Sequence, residues 1–286
     1  MDPATESGRI CAVAGQSQRE MREWAKAYPR LFSAKQFDPA LFSTLALATA
    51  FSGPWLDSAQ QRMANRTTLW CFGLDWLVDY VATSRAGAAA IAERCLAVAH
   101  GAAPGDGDDL TVFLADIRAE LAAAEAFPVL GPVWRDELRR MLDAMVREHD
   151  WKAEGAALPS FAEYLDNADN LGFSFVFAAH WLFTSPPPAD ADIARVRAAS
   201  RAVQRVIRLL NDLATYERDV RWGDLNALLL GPTRKEVSQR AEALAAEARD
   251  LVRALRDSQP ALANYLERQM DFCVGFYGVT DYWGAW

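Results

Sequence analysis

Short Pro/Gly interruptions punctuate this chain at Gly53-Pro54, Pro104-Gly105, Gly131-Pro132, Pro159-Ser160, residues 186–188, Gly231-Pro232 and Pro260. Between them run long stretches rich in Ala, Leu, Arg and Glu, with no two-residue alternation of apolar and polar side chains. Good helix formers broken only at their joints restrict the chain to an all-α fold. The pattern predicts helices over residues 17–33, 40–51, 58–84, 86–100, 109–126, 133–150, 160–184, 190–222, 234–258 and 260–281. Neither a repeat nor a flexible linker divides the chain. The expected architecture is a single helical domain over 16–286 behind a loose N-terminus over 1–15.

With 286 residues, 51% of them hydrophobic, the chain can bury a substantial core. A net charge of −8 and a pI near 5.0 argue against nucleic acid and anionic membranes as partners, since both demand a basic surface. The polar start "MDPATESGRI" lacks the basic and apolar regions of a signal peptide, and the apolar run 40–51 is too short to span a bilayer, so the expected location is the cytoplasm. Four cysteines without a CxxC spacing and only three histidines make a zinc site or a disulfide framework a poor fit.

Against this background the stretch "WCFGLDWLVDY", Trp70–Tyr80, sets two carboxylates in an apolar and aromatic run. Asp75 and Asp79 form the one D-x-x-x-D among 23 aspartates, and on a helix they share a face one turn apart. Like charges so placed repel unless a cation joins them. A solvated turn beside Lys or Arg is the alternative, but Phe72, Trp76, Leu77, Val78 and Tyr80 leave little polar helix to expose. Further on, "RLLNDLATYERDV" places Asn211, Thr215 and Asp219 at i, i+4 and i+8 of a long helical stretch. An amide, a hydroxyl and a carboxylate on one face are hard oxygen donors, the set that suits Mg²⁺ better than a transition metal.

Together these motifs resemble those of the class I terpene synthases. Asp75-Trp76-Leu77-Val78-Asp79 is similar to their aspartate-rich motif, with Trp76 replacing the second aspartate. Asn211 through Asp219 is similar to their second metal motif, N-D-[LIV]-x-[ST]-x-x-x-E, and "LPSFAEYL", Leu158–Leu165, is similar to the approach to their broken active-site helix. The resemblance implies an all-α fold around a deep apolar pocket, in which Asp75, Asp79, Asn211, Thr215 and Asp219 hold three Mg²⁺ against a prenyl diphosphate. It further implies that Arg218, Arg208 and Tyr282 are diphosphate contacts. The pocket would be lined by Phe72, Phe173, Phe177, Trp181 and Trp283, with Tyr282, Trp283 and Trp286 as a cap. A homodimer is compatible with the resemblance.

This chain departs from the family at three places. Asp219 stands where glutamate is usual, one methylene shorter. Aligning Gly172 with the family's helix-break glycine puts Ala168 where a diphosphate-sensing arginine would be. Near the C-terminus Asp281-Tyr282 replaces an Arg-Tyr pair. The resemblance is closest to bacterial diterpene cyclases, and the expected reaction is ionisation and cyclisation of geranylgeranyl diphosphate with release of diphosphate. The alternatives are a kaurene-type enzyme acting on a bicyclic diterpenyl diphosphate, a sesquiterpene cyclase using farnesyl diphosphate, and, from a different class, a nonenzymatic helical scaffold. Asp106-Gly107-Asp108-Asp109 spells the D-x-D-D of class II cyclases, but it sits in a Gly/Pro-rich loop where helix capping explains it.

Overall fold

The computed structural model of the chain describes residues 2–153 and 155–284, which form helices and connecting turns with no strand among them. Trp286, expected beside Tyr282 and Trp283, lies outside the described residues. Two compact units divide the chain: residues 1–139, 175–188 and 282–286 in the first, residues 140–174 and 189–281 in the second.

In the first unit α1 (Pro3–Ala27), α2 (Pro39–Ser52) and α3 (Ser58–Asp75) pack on one another, and α4 (Arg85–Ala99) packs on α5 (Asp109–Ala122). Local chemistry sets their starts. Asp2, Asp38, Asp57, Ser84 and Asp108 each accept a backbone N–H of the following first turn, which satisfies donors that have no intrahelical partner. At α3 the cap is reciprocal, because Gln60 also returns a bond to the Asp57 backbone.

The N-terminus differs from expectation. It is not loose, because α1 begins at Pro3 and buries Ile10, Ala14, Ser17, Met21 and Ala25 against its neighbours. Those residues recur every three or four positions, yet the stripe is built mainly from small side chains and is hard to read as an apolar face. A second difference lies at α6 (Phe127–Lys152), which runs through Pro132 instead of starting after it. The proline removes one helical N–H near the start of the helix, where burial of Leu130, Val133, Trp134 and Leu138 offsets the loss.

The second unit is built on the 33-residue helix α9 (Asp190–Trp222), against which α10 (Arg234–Arg253) and α11 (Pro260–Tyr277) pack. Ahead of it the stretch 160–184 is not one helix. It divides into α7 (Phe161–Asp166), a 3₁₀ turn (Ala168–Leu171) and α8 (Phe173–Thr184), with Gly172 at φ 75° as the joint. A residue with a Cβ is strained at that angle, so glycine is what permits the break. Gln204 of α9 secures it from both sides: its Oε1 accepts the Ser174 N–H at 2.8 Å, and its Nε2 donates to Asp169 Oδ1 at 2.8 Å. Arg140 adds an ion pair to Asp169 at 2.6 Å.

In α8, Phe175, Phe177, His180 and Trp181 are all buried. Burial lowers the His180 pKa to about 4 from an ordinary 6.5. A depressed histidine pKa means that the unfolded chain binds the extra proton between these values, so stability is full above about pH 6.5 and lost as the pH falls toward 4. Thermal unfolding of the parent and of His180→Phe is compared across this window: the parent is expected to lose ground relative to the variant as the pH falls, since only the parent carries the buried imidazole.

Candidate active site

The aspartate-rich motif straddles a change of helix type. α3 buries Met63, Ala64, Leu69, Trp70 and Leu74, and the Trp70 indole donates to the Leu110 carbonyl at 2.9 Å, which fixes the approach of the helix. At Trp76 the α-helix gives way to a π-helix, Trp76–Val81, closed by a bond from the Ala82 N–H to the Leu77 carbonyl at 2.8 Å. The single helix expected through residue 84 therefore ends earlier, and Asp75 closes the α-helical part while Asp79 lies in the wider turn. Both side chains are half-buried.

The negative charge of Asp75 is felt locally. The Cys71 thiol is held well above its ordinary pKa, by burial first and by Asp75 second. Trp76, the departure from a second aspartate, packs its ring near Phe37 at 6.2 Å, Tyr80 at 5.0 Å and Trp283 at 6.3 Å. Phe72 meets Tyr282 at 5.7 Å and Trp283 at 5.1 Å. Thus Phe72, Trp76, Tyr282 and Trp283, far apart in sequence, form one aromatic cluster in the first unit, and the Tyr282 ring is part of it.

On α9 the three oxygen donors of the second motif share a face. Thr215 and Asp219 are buried and Asn211 is half-buried. The Thr215 hydroxyl lies 2.6 Å from Asp219 Oδ2 and 2.9 Å from the Asn211 backbone carbonyl. Burial raises the Asp219 pKa, opposed by its bonds to Thr215 and Asn226 and by the nearby Arg218 charge. A buried carboxylate among neutral oxygen donors is a setting that a divalent cation stabilises, so the donor set fits such an ion. Among the described residues no group of three or more His, Cys, Asp or Glu side chains is arranged to hold a metal alone. Further oxygen ligands would come from water or a bound anion.

Arg208, expected as a diphosphate contact, is held by partners within the protein. It is buried, and its guanidinium is taken up by Glu148 at 3.2 Å, Asp212 at 3.4 Å, the Tyr164 hydroxyl and the Leu225 carbonyl. These partners neutralise and saturate the side chain, which ties together elements of the second unit. Asp212, 1% exposed, has its pKa pushed up to about 7 by burial, with Arg208 and the Tyr164 hydroxyl acting in the opposite direction. Sequence reading missed Glu148 and Tyr164 as the members of this cluster. Their only signal is an acidic residue and a tyrosine in otherwise ordinary helical surroundings.

Arg218 is placed differently. It is partly exposed, lies over the Trp222 ring at 5.3 Å, and pairs with Asp281 at 2.5 Å and Asp219 at 3.4 Å. The C-terminal aspartate that departs from the Arg-Tyr pattern is thus a direct partner of the arginine in the second motif. Of the expected pocket residues, Phe177 and Trp181 are buried in α8 and Phe173 is half-buried just after the Gly172 break. Phe175, which the i, i+4 stripe passed over, is buried and meets Trp70 and Trp134, each at 5.7 Å. In the D-x-D-D segment, Asp108 caps α5 and pairs with Arg94, and Asp109 accepts the Arg30 N–H at 2.7 Å, so both have structural partners.

An all-α chain carrying a carboxylate pair on one helix and an Asn/Thr/Asp oxygen face on another has the marks of a metal-dependent prenyl diphosphate enzyme. Residues 66–267 match the terpene synthase family 2, C-terminal metal-binding family, and the chain belongs to it. It is similar to the ent-pimara-9(11),15-diene synthase of Streptomyces sp. (strain KO-3988), 26% identical over 277 residues that cover 93% of this chain and 91% of the relative. Its fold matches linalool/nerolidol synthase from Streptomyces clavuligerus, solved with 2-fluorogeranyl diphosphate, with a TM-score of 0.72, 18% identity and 93% of each chain covered. Wild-type cucumene synthase matches with a TM-score of 0.73 and 16% identity, over 94% of this chain and 96% of that one. The chain is therefore an enzyme of the terpene synthase type, with the class I fold and a metal-binding domain. No helix among the described residues is long and apolar enough to cross a membrane.

Proposed function

We propose that this enzyme is a Mg²⁺-dependent class I diterpene cyclase that ionises geranylgeranyl diphosphate and cyclises the carbocation. The observation that carries the reading is the oxygen face on α9 formed by half-buried Asn211 and buried Thr215 and Asp219, inside the segment that matches the family. The similarity to a relative named as a diene synthase of the ent-pimarane type supports a C20 substrate. Bound Mg²⁺, three ions by the family's pattern, would neutralise the diphosphate so that the allylic C–O bond can break.

The chain's own groups have separate tasks in this reading. Asp75 and Asp79 would hold metal on the first motif. Asn211, Thr215 and Asp219 hold a further ion. Arg218 supplies positive charge to the diphosphate, in exchange for its pairing with Asp281. The rings of Phe173, Phe177 and Trp181, with those of the Phe72, Tyr282 and Trp283 cluster, exclude water and offer π faces to the cation. Arginine at the helix break is replaced by buried Ala168, so this chain leaves more of the diphosphate's charge to metal and to Arg218.

The similarity to an ent-pimaradiene synthase also favours a second reading, in which the substrate is a preformed bicyclic diterpenyl diphosphate. Incubation with the C10, C15, C20 and bicyclic C20 diphosphates, with and without Mg²⁺, separates these. Metal-dependent diphosphate release and a cyclic C20 hydrocarbon or alcohol, identified by mass spectrometry, are expected from a C20 substrate. Absence of diphosphate release from every one of them would sink the proposal.

A further inference from the structure

A buried amide outside both motifs touches the second one at two levels. Asn226 is 0% exposed and caps the 3₁₀ turn Ala227–Leu230, its Oδ1 accepting the Leu228 N–H at 3.0 Å. That bond orients the amide, and both hydrogens of Nδ2 are then used. One goes to Asp219 Oδ2 at 2.8 Å and the other to the Asp212 carbonyl at 2.9 Å. Asn226 thereby ties the loop after α9 to two levels of that helix about two turns apart.

The consequence lies in the two oxygens of Asp219. Oδ2 already faces the Thr215 hydroxyl at 2.6 Å, and the Asn226 amide gives it a second donor, so its lone pairs are turned toward protein hydrogens. Oδ1 has the Arg218 guanidinium at the longer distance of 3.4 Å. We infer that Asn226 is a positioning residue that holds Asp219 with Oδ2 toward the protein and presents Oδ1 to the metal. A carboxylate one methylene shorter than the usual glutamate has less reach, so its orientation matters more. Hydrogen-bond partners of metal ligands characteristically act in this way, fixing the ligand's angle and its basicity.

The inference rests on the metal role proposed for Asp219, and a double-mutant cycle separates the two. Mg²⁺-dependent binding of inorganic diphosphate is measured by calorimetry for the full-length chain and for Asn226→Ala, Asp219→Ala and the double variant. Circular dichroism checks that each is folded. Asn226→Ala is expected to raise the Mg²⁺ concentration needed for half-saturation by about tenfold, in line with the usual cost of losing an outer partner. In the Asp219→Ala background the same change is expected to have no further effect, because a residue acting through Asp219 has nothing left to act on. An equal penalty in both backgrounds, or none in the parent, would overturn the inference while leaving the metal role of Asp219 intact. Unaltered Mg²⁺ dependence in Asp219→Ala itself would remove that role and the inference together. If Asn226→Ala does not fold, Asn226→Leu, which has a similar volume and no donor, takes its place in the cycle.

Discussion

Replacing Asp75 with alanine is expected to reduce turnover by at least about 10³-fold, a loss of about 4 kcal/mol of transition-state stabilisation. The helical content should be unchanged. Asp75 is the last residue of α3, half-buried, and alanine is the stronger helix former, so removing the carboxylate leaves the packed face of Trp70 and Leu74 in place. The measurement is product formation at saturating Mg²⁺, with circular dichroism as the control. A folded variant with full activity would mean that Asp75 is not a metal ligand. Since Trp76 occupies the position of the family's second aspartate, the remaining carboxylate of the motif is Asp79 in the π-helical turn, and it cannot take over from a place one turn away.

The second large effect is on stability. Arg208→Met should destabilise the folded chain by about 3–5 kcal/mol, because it leaves buried carboxylates without their counter-charge. The penalty should depend on pH in a definite direction. Asp212 already has a folded pKa of about 7, above its ordinary value, chiefly from burial. A raised carboxyl pKa means that the folded state binds more protons, so stability falls as the pH rises through the window from about 4 to 7. Loss of Arg208 removes the charge that counteracts this rise, so the variant should lose less at pH 5 than at pH 8. Chemical denaturation at both values checks it. If Arg208 instead contacted diphosphate, the variant would keep its stability and show a raised KM.

These two arginines show how legibility divides in this chain. Arg208 and Arg218 lie on the same helix, ten residues apart, and in the sequence Arg218, inside the metal motif, is the first candidate for a diphosphate contact and Arg208, three residues before Asn211, the second. Their burial and partners differ because Glu148, Tyr164 and Leu225 close around one, while the C-terminal Asp281 meets the other. None of these partners is a helical neighbour, so no spacing rule reaches them. Asn226 on Asp219 escaped for the same reason.

What the sequence determined by itself is what short-range chemistry controls. Pro and Gly breaks and polar caps set most helix starts, as at Asp57, Ser160 and Thr233, because a capping side chain reaches only three residues ahead. The four-residue spacing put Asn211, Thr215 and Asp219 on one face of α9, and Gly172 marked the helix break, since each depends on backbone geometry alone. Tertiary structure decided the rest. It drew the N-terminal residues into α1 and gathered Phe72, Trp76, Tyr282 and Trp283 into one cluster. It also assigned Arg208 to the core, because burial and counter-charges come from residues brought together only when the chain has packed.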